Sequence, residues 1–501
     1  MKILSTEQIY QTDQATILEK GINSVDLMET AANKCFEFIR NNYNIENQSL
    51  KIFCGVGNNG GDGLVIARLL QQINADLACY IVHFSDKRSE DFHINFERIK
   101  HLNIKIYDIF KENDFPEIQP NDLVIDAIFG LGLKKSPFGF TKELIKKLNN
   151  SNAYIISIDL PSGLLNGQTI IDSESVIKAN KILTFQVPKL ALLLPENKDY
   201  CLEFEILDIG LSQNYISSLT TNKFFTTPDE VQKLWIPRIK FSHKGSYGHS
   251  LLIGGSFGKI GAITLASKAA LKVGSGLVSA YIPKCAYQIV QTSIPEVMVE
   301  VDNDSEIHHF NYKTIANVIG IGPGIGLHEK TMEGFINFLK LQKKPMVIDA
   351  DALNILAQNK LSLKLIPKNS VLTPHPKEFE RLAGSWKNDY EKLKKLRDFS
   401  LKYNVIVVLK GAFTVIAHQN NLYFNSTGNA ALATAGSGDV LTGIITGLIA
   451  QGYTPFDASL IGVYIHGKTA DIYCRQNPQE TFLASDIIEF LPNAIKETFY
   501  S

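Results

Sequence analysis

Short runs of β-branched and other apolar residues alternate with helical patterns along most of this 501-residue chain, and this alternation limits the fold more than any other feature. From about residue 50 to 210 the apolar runs are KIFCGVG, ACYIVHF, KIYDI, DLVIDAIFG, AYIISIDLPSG and KILTFQV. Strands that alternate with helices form a parallel sheet covered on both faces. A second series runs from HSLLIGGS to NVIVVLKG, and FTVIAHQNNLYFNS near its end is typical of two strands joined by a polar turn. The sequence therefore predicts an α/β protein with two sheets.

A change in composition separates the two series. Between about Ile209 and Lys240 the pattern weakens into Ser, Thr, Asn and Pro, as is typical of a domain boundary. A length of 501 residues also exceeds what one core of about 150 residues occupies. We therefore predict a first domain over residues 1–218 and a second over residues 225–501.

The charge balance and the cysteines limit the class of partner. Lysine plus arginine number 50 against 51 acids, a net charge of -1, so no overall field attracts nucleic acid or a membrane surface. No apolar run approaches the ~20 residues needed to cross a bilayer. The six cysteines are far apart and form no C-x-x-C pair, which favours a reducing cytoplasm. Ser5 and Gln8 have capping-box spacing, which predicts a helix at the N-terminus instead of a secretory signal.

Polar side chains follow three strands of the first series, at GNNGGDG (57–63), DAIFGLGLKKS (126–136) and DLPSG (159–163). The first of these also satisfies the dinucleotide pattern G-x-G-x-x-G, but Asp62 would repel a phosphate at the following helix. Because ligands collect at the carboxyl ends of parallel strands, we expect the three segments to form one site.

Oxygen-bearing side chains and two lysines indicate which ligands this site could bind. Asn59, Asp126 and Ser162 offer an amide oxygen, one carboxylate and a hydroxyl, which suits a hard cation, and the single negative charge favours a monovalent one. Lys134 and Lys135 are able to meet phosphate, although a solvated loop explains them equally well.

GNNGGDG, DAIFG and SIDLPSG, in this order, resemble the NAD(P)H-hydrate epimerase domain over roughly the first 215 residues. The resemblance implies a Rossmann-like three-layer sandwich that binds a hydrated nicotinamide dinucleotide as substrate. It also implies K⁺ at Asn59, Asp126 and Ser162, and Asp159 as the acid/base that assists inversion. The implied substrate contacts are Asn58, Asn59, Gly60, Gly61, Asp62, Gly130, Leu131, Gly132, Leu133, Lys134, Lys135, Ser136 and Asp159.

NAALATAGSGDVLTG (429–443) carries the strongest signal of the second series. Gly436 and Gly438 lie at the start of an apolar helix, where free backbone N–H groups and the helix dipole can surround a phosphoryl group. Asp439 follows, placed to take a proton from an attacking hydroxyl. By contrast, GVYIHGKT (462–469) matches the P-loop pattern inside a helical one, so we predict an ordinary packed helix with a structural His466.

Three further loops complete this second site. LKGAFT ends a strand with Lys410 and backbone amides that could hold a nucleotide, and GPGIG allows close backbone approach. His375 lies between two prolines at another strand end, where it is as plausible a ligand group as a structural one.

HKGSYGHSLLIGGS, GPGIG, DADALN, LTPHPKEFERLAG, LKG and GSGDVLTG resemble the NAD(P)H-hydrate dehydratase of the ribokinase-like superfamily, from about Phe241 onwards. The resemblance implies phosphorylation of the hydrate hydroxyl by ADP or ATP with Mg²⁺, followed by loss of phosphate. Its implied nucleotide contacts are Lys410, Gly411, Ala412, Phe413, Thr414 and Gly438. Its implied hydrate contacts are Ala262, Gly324, His375 and Asp439.

Together the two resemblances imply a bifunctional repair enzyme that epimerises NADH and NADPH hydrates and dehydrates the S form, in a homo-oligomer. The residues alone leave an alternative, a small-molecule kinase of the hydroxyethylthiazole kinase type with a non-catalytic N-terminal binding module, because they indicate phosphoryl transfer without the later elimination.

Overall fold

The protein is described by a computed structural model that covers residues 1–73, 75–302 and 305–500. The chain separates into two compact units. Lys2–Thr221 and Asn388–Tyr390 form the N-terminal unit, and the remaining residues form the C-terminal unit.

The N-terminal unit contains a parallel sheet of seven strands in the order β3-β2-β1-β4-β5-β6-β7. Its strands are β1 (Leu50–Gly55), β2 (Leu77–Val82), β3 (Lys105–Ile109), β4 (Leu123–Ala127), β5 (Tyr154–Ile158), β6 (Lys181–Phe185) and β7 (Phe204–Leu207). Its helices are α1 (Thr6–Lys20), α2 (Ser24–Asn42), α3 (Asn58–Gln72), α4 (Glu90–Lys100), α5 (Phe140–Asn149) and α6 (Gln213–Ser218). The order reverses direction between β1 and β4, where the loops after these strands diverge to opposite faces and leave a crevice.

Successive residues of β1 point to opposite faces of this sheet, as the strand period of two requires. Ile52 and Cys54 pack in a core with residues of α2, α3 and α4. Phe53 packs on the other face with residues of α5. The predicted sheet with helices on both faces is confirmed. Strand β7 was not predicted, because FEIL is short and only partly buried.

The C-terminal unit contains a ten-stranded mixed sheet in the order β11-β10-β9-β12-β13-β14-β15-β16-β17-β8. Its strands are β8 (Lys223–Thr226), β9 (His249–Ile253), β10 (Leu277–Pro283), β11 (Met298–Asp302), β12 (Val318–Ile321), β13 (Met346–Ile348), β14 (Val371–Leu372), β15 (Ile406–Leu409), β16 (Val415–His418) and β17 (Asn421–Asn425). Its helices are α7 (Pro228–Gln232), α8 (Ile260–Lys272), α9 (Tyr287–Ser293), α10 (Glu329–Leu341), α11 (Ala350–Gln358), α12 (Pro376–Ala383), all but the first two residues of α13 (Asp389–Tyr403), α14 (Ser437–Ala450), α15 (Pro455–Tyr473) and α16 (Ala484–Phe499).

Strands β15 to β17 are antiparallel, so the predicted pair of strands joined by a polar turn is confirmed. The polar segment 209–240 is more structured than its composition indicates, since it contains α6, β8 and α7. Strand β8 pairs in parallel with β17, and Phe224 stacks on Tyr423 at 5.1 Å between ring centroids. This pairing joins β8 to the C-terminal sheet.

The P-loop pattern Gly462 to Thr469 lies inside α15, as predicted, and most of its residues are buried. Along the described parts of the chain, none of the helices combines the length and the apolar character that crossing a bilayer requires.

Two candidate active sites

The N-terminal unit has a cavity of about 840 Å³ beyond the carboxyl ends of its strands. The three predicted segments meet there. The predicted residues that line the cavity are Asn58, Asn59, Asp62, Gly130, Leu131, Gly132, Leu133, Lys134, Lys135, Ser136 and Asp159. Gly60 and Gly61 lie behind this lining. A Cβ on Gly60 would stand 1.7 Å from the carbonyl oxygen of Gly55, so the close packing of α3 on β1 requires glycine here.

Asp159 follows β5 with a backbone φ of 66°, a left-handed conformation that costs free energy for a residue other than glycine. Its carboxylate is ion-paired with Lys189, whose Nζ lies 2.5 Å from Oδ1. Lys189 is 1% exposed, and its remaining N–H groups donate to Thr184 Oγ1 and to the backbone carbonyl of Phe185. The pair holds the Asp159 carboxylate at the cavity wall in one fixed orientation.

Asp126 is fully buried at the end of β4. It accepts four hydrogen bonds, from the Ser157 hydroxyl, from the hydroxyl and backbone N–H of Ser162, and from the backbone N–H of Ile128. Ser162 Oγ also accepts from the Phe129 N–H at 2.8 Å. Burial raises the pKa of Asp126, while these donors lower it. Within the described residues the donors to Asp126 are all neutral, which leaves the charge of its carboxylate uncompensated.

Asn59 lies beside the loop that follows β4. A Cβ on Gly130 would stand 3.1 Å from Asn59 Oδ1, and the Asn59 side-chain Nδ2 is buried without a hydrogen-bond partner. Since Gly130 directly follows Phe129, the structure brings Asn59, Asp126 and Ser162 to the same loop, as the sequence predicts.

Helix α1 supplies residues that the sequence analysis missed. Tyr10, Asp13 and Ile17, on one face of α1, line the same cavity. Burial and the negative charge of the nearby Asp159, opposed by the positive charge of Lys189, together raise the pKa of Asp13 to about 7. Burial also raises the pKa of Asp62 well above its ordinary value. The α1 sequence shows only a cap and a helical pattern, so no local signal marks Asp13.

The second site lies in the C-terminal unit, where Gly436 precedes α14 with a left-handed φ of 88° that favours glycine. The first N–H groups of a helix have no intrahelical partner, so those of α14 face outward from its N-terminus. Asp439 lies in this first turn. Burial raises the pKa of Asp439 to about 7, helped by the negative charge of Asp349 and opposed by Lys410.

Lys410 and Asp349 form the electrostatic centre of this site. Lys410 Nζ lies 3.0 Å from Asp349 Oδ1, and the Thr442 hydroxyl donates to Asp349 Oδ2 at 2.8 Å. A Cβ on Gly438 would stand 3.1 Å from Lys410 Nζ, so the lysine reaches the start of α14. Asp349 opens the segment DADALN directly after the buried strand β13, and although an acid at that position is a recognisable signal, no role for it was predicted from the sequence.

The segment Lys410 to Thr414, with Gly411, Ala412 and Phe413 between them, is the turn that joins β15 to β16. The Gly411 N–H donates to the Thr414 hydroxyl at 3.3 Å. This bond fixes the turn, which presents Lys410 towards α14.

Ala262 and Gly324 approach each other on a neighbouring wall. A Cβ on Gly324 would stand 3.4 Å from that of Ala262 and 2.7 Å from the Lys259 carbonyl. Lys259 Nζ contacts Asp351 at 3.2 Å, and the negative charge of Asp351 acts on Asp439. These residues therefore lie around one site.

His375 precedes α12 and caps it, because its Nδ1 accepts from the backbone N–H groups of Lys377 and Glu378. Its Nε2 lies 3.5 Å from Glu378 Oε1. Burial and the positive charge of Lys410 lower the pKa of His375, so the ring is neutral near pH 7. His466, in α15, is also neutral, because burial lowers its pKa to about 4, and its Nε2 lies 3.0 Å from the Ser437 carbonyl.

A further group of side chains is able to hold a metal ion. Glu306 Oε2 lies 3.6 Å from His308 Nε2 and 3.7 Å from His328 Nδ1. His328 Nδ1 already accepts the Lys330 N–H as the cap of α10. The group lies close to Gly326, whose Cβ would stand 3.8 Å from Glu306 Oε1.

Family models match both units. Residues 24–191 match the YjeF-related protein N-terminus family, and residues 250–493 match the NAD(P)H-hydrate dehydratase family.

Full-length relatives carry both regions. The chain is 34% identical to the bifunctional NAD(P)H-hydrate repair enzyme of Moorella thermoacetica, over 99% of this chain and 97% of that one. It is 33% identical to the enzyme of the same name from Escherichia coli, over 95% and 90%. A ribokinase-like superfamily protein from Enterococcus faecalis is similar in structure, with a TM-score of 0.50 at 26% identity, covering 56% of this chain and 99% of that one.

Proposed function

The chain belongs to the family of bifunctional NAD(P)H-hydrate repair enzymes, and from this membership we propose a division of its chemistry between the two sites. The cavity of the N-terminal unit interconverts the R and S epimers of NADH and NADPH hydrate. The site at the start of α14 dehydrates the S epimer at the expense of ADP or ATP. The observation that carries the proposal is Asp439, a carboxyl with a pKa of about 7 in the first turn of a helix that begins after a left-handed glycine.

In the epimerase site the three loops surround the substrate. Exposed Lys134 and Lys135 meet the dinucleotide phosphates, and Asp159 serves as the acid/base at the hydrated ring carbon. Asn59, Asp126 and Ser162 hold K⁺. Asp126, a buried carboxylate whose hydrogen-bond donors are all neutral, fits a monovalent cation, which would supply the compensating charge.

In the dehydratase site Asp439 accepts the proton of the substrate hydroxyl, whose oxygen attacks the terminal phosphorus of the nucleotide. The bond from this phosphorus to its bridging oxygen breaks, and AMP or ADP leaves with the bonding electrons. Phosphate then leaves with the electrons of the carbon–oxygen bond, and loss of a proton from the adjacent carbon restores the reduced nicotinamide. A pKa of about 7 suits a base that must be ionised near neutral pH and still accept a proton readily.

Lys410 and the N–H groups at Gly438 hold the phosphates, and the turn to Thr414 holds the rest of the nucleotide. Asp349, Asp351 and Glu378 also act on Asp439 with negative charge, against the single positive charge of Lys410. Phosphates therefore need cations of their own in this site, which fits Mg²⁺ bound with the nucleotide. Mg²⁺ would neutralise charge that develops on the phosphoryl oxygens.

The alternative of a small-molecule kinase with a non-catalytic N-terminal module is not favoured, since relatives named as bifunctional repair enzymes cover almost the whole chain. A cytoplasmic location and assembly into homo-oligomers stay predictions from the sequence.

The test is to incubate mixed hydrate epimers with ADP or ATP and to follow the absorbance of the reduced nicotinamide. We expect wild type to recover all of it. Asp159→Asn should show only a fast phase limited to the S epimer, and Asp439→Asn should show no recovery.

Asp398→Asn is the matched control, because Asp398 is a half-exposed carboxylate of the same unit. It should behave as wild type. Full recovery by Asp439→Asn would defeat the proposed mechanism, and accumulation of a stable phosphorylated product would favour a kinase.

A further inference from the structure

The hydrate is formed by adding water across an enamine-type double bond of the ring, so its hydroxyl sits on the carbon next to the ring nitrogen. Inversion at this carbon requires the hydroxyl to leave one face and water to return to the other. The carbon–oxygen bond breaks readily only when the oxygen is protonated, because the nitrogen lone pair then expels neutral water and forms an iminium ion. An acid is therefore needed beside the base that the epimerase site already contains.

We propose that Asp13 is the catalytic acid of the epimerase site and that it works with Asp159 across the same cavity. This proposal rests on the epimerase function proposed for the N-terminal unit. Asp13 gives its proton to the hydroxyl, which leaves as water with the bonding electrons. Asp159 takes a proton from the water that returns to the opposite face, and exchange with solvent resets both carboxyl groups. No electrons enter or leave the substrate.

The first reason is position. Tyr10, Asp13, Gln14 and Ile17 line the cavity and are spaced so that they share one face of α1. Asp13 is thus presented to the cavity from a helix, whereas Asp159 is presented from the loop after β5. Two carboxyl groups from different elements can approach two sides of a bound ring.

The second reason is that the two carboxyl groups have different partners. Asp159 is ion-paired with the buried Lys189 at 2.5 Å, so its negative charge is compensated and fixed in place. Asp13 has no ion pair among the described residues, and burial beside that negative charge raises its pKa to about 7. Two titratable groups whose environments differ in this way can serve as acid and base at one pH.

Among the titratable groups of the cavity, Asp13 is the one best suited to act as the acid. The other titratable side chains that line the same cavity are Tyr10, Asp62, Asp91 and Asp159, and its positive charges come from Lys134, Lys135 and Lys189. Burial and the negative charges of Asp159, Asp13 and Asp91 raise the pKa of Asp62 well above its usual value, which favours its protonated form and hydrogen-bond donation. Burial also raises the pKa of Tyr10, which makes it a poor acid at this pH.

Exchange between the epimers can be measured alone, since the dehydratase is idle without ADP or ATP. The full-length enzyme is mixed with hydrate enriched in the R epimer, and the epimers are separated by chromatography after a quench, between about pH 6 and 9. The non-enzymic rate is subtracted. Asp13 must be protonated to act, so the wild-type rate should fall about tenfold per pH unit above about pH 7.

We expect Asp13→Asn to lose about 10²- to 10⁴-fold of the rate below pH 7 and to lose the fall above it. Asp13→Glu should restore part of the rate together with the pH dependence. Asp199→Asn, which changes an exposed aspartate of the same unit, should match wild type. ADP-dependent dehydration of the S epimer should be unchanged in all three variants, which shows that the C-terminal unit is intact. An unchanged thermal unfolding transition of the N-terminal unit should show that this unit is folded as well.

The outcomes separate the two ideas. If wild type fails to exchange the epimers, the proposed epimerase function is wrong, whatever Asp13 does. If wild type exchanges them and Asp13→Asn keeps both the rate and the fall above pH 7, the function stands and the role of Asp13 is refuted. Should Asp13→Asn not fold, a rate for Asp13→Glu without any pH dependence refutes it equally.

Discussion

Lys410 forms an ion pair with Asp349, and removing this lysine should destabilise the C-terminal unit. The Asp349 side chain is 2% exposed and that of Lys410 is 23% exposed, and their charged atoms are 3.0 Å apart. At this distance, with an effective dielectric constant of about 20, the attraction is about 5 kcal/mol. Removing one partner leaves the other buried and unpaired, so we expect Lys410→Met to lower the free energy of unfolding by about 3–5 kcal/mol.

Neutralising both partners should cost less than removing the lysine alone. Asp349→Asn keeps a group that can accept the Thr442 hydroxyl. In the double variant with Lys410→Met no uncompensated carboxylate remains at position 349, and we expect it to be more stable than Lys410→Met alone. Lys343→Met, which removes an exposed lysine of the same unit, is the control and should match wild type.

The assay is urea unfolding without nucleotide, followed by tryptophan fluorescence. Both tryptophans of the chain, Trp235 and Trp386, lie in the C-terminal unit, so the signal reports its unfolding and not that of the other unit. A loss below about 1 kcal/mol in Lys410→Met, or a double variant no more stable than that single one, would refute the reasoning.

Three further predictions concern single features. Gly60→Ala should destabilise the N-terminal unit by about 3 kcal/mol and abolish epimer exchange while dehydration persists, because a Cβ would stand 1.7 Å from Gly55 O. Gly57→Ala, with open space around its Cβ, is the control, and equal unfolding temperatures of the two variants would contradict this prediction. Asp439→Asn should raise the unfolding temperature near pH 8 but not near pH 4. In wild type the pKa of Asp439 in the folded state is about 7, above its ordinary 3.8, so folding takes up a proton between these two pH values. The stability of wild type therefore falls as the pH rises from 3.8 to about 7. Lys468→Ala should leave the KM for ADP within about twofold of wild type, since Lys468 lies in α15 and contacts Glu497 at 3.6 Å; a tenfold rise would revive the P-loop interpretation.

The parts of the fold that follow a strong local pattern were predictable from the sequence. Central strands such as β1 and β4 are buried on both faces and read as continuous apolar runs, and α15 was separated from a P-loop by its helical spacing. The edge strands β7 and β11 were missed, because both are only partly buried and carry polar residues, whereas the edge strand β3 was predicted from KIYDI. Strand β8 was missed because its pairing with β17 lies about two hundred residues away along the chain.

The candidate sites divide in the same way. Glycine-rich loops that follow strands are recognisable in the sequence, and residues of GNNGGDG line the cavity of the N-terminal unit. Asp13, Lys189 and Asp349 were given no role, because each acts through a partner that only folding brings near. A buried ion pair between residues thirty or more positions apart leaves no spacing to recognise.

The two sites use the same electrostatic arrangement. In each, a lysine is paired with one aspartate, and a second carboxyl group acquires a pKa of about 7 from burial and from the negative charge of that aspartate. The roles are opposite, however. Asp13 is proposed to act when protonated, whereas Asp439 is proposed to act when ionised.

This opposition predicts how complete repair depends on pH. With the S epimer alone, dehydration should rise with pH to a plateau above about 7, because only ionisation of Asp439 limits it. With the R epimer as the starting material, recovery should pass through a maximum near pH 7. Below this pH dehydration is slow, and above it Asp13 loses its proton, so that epimerisation supplies less S epimer. Asp13→Glu should move the alkaline side of this maximum and leave the S-epimer profile unchanged. Identical profiles for the two epimers in wild type would show that the acid of the first site titrates elsewhere.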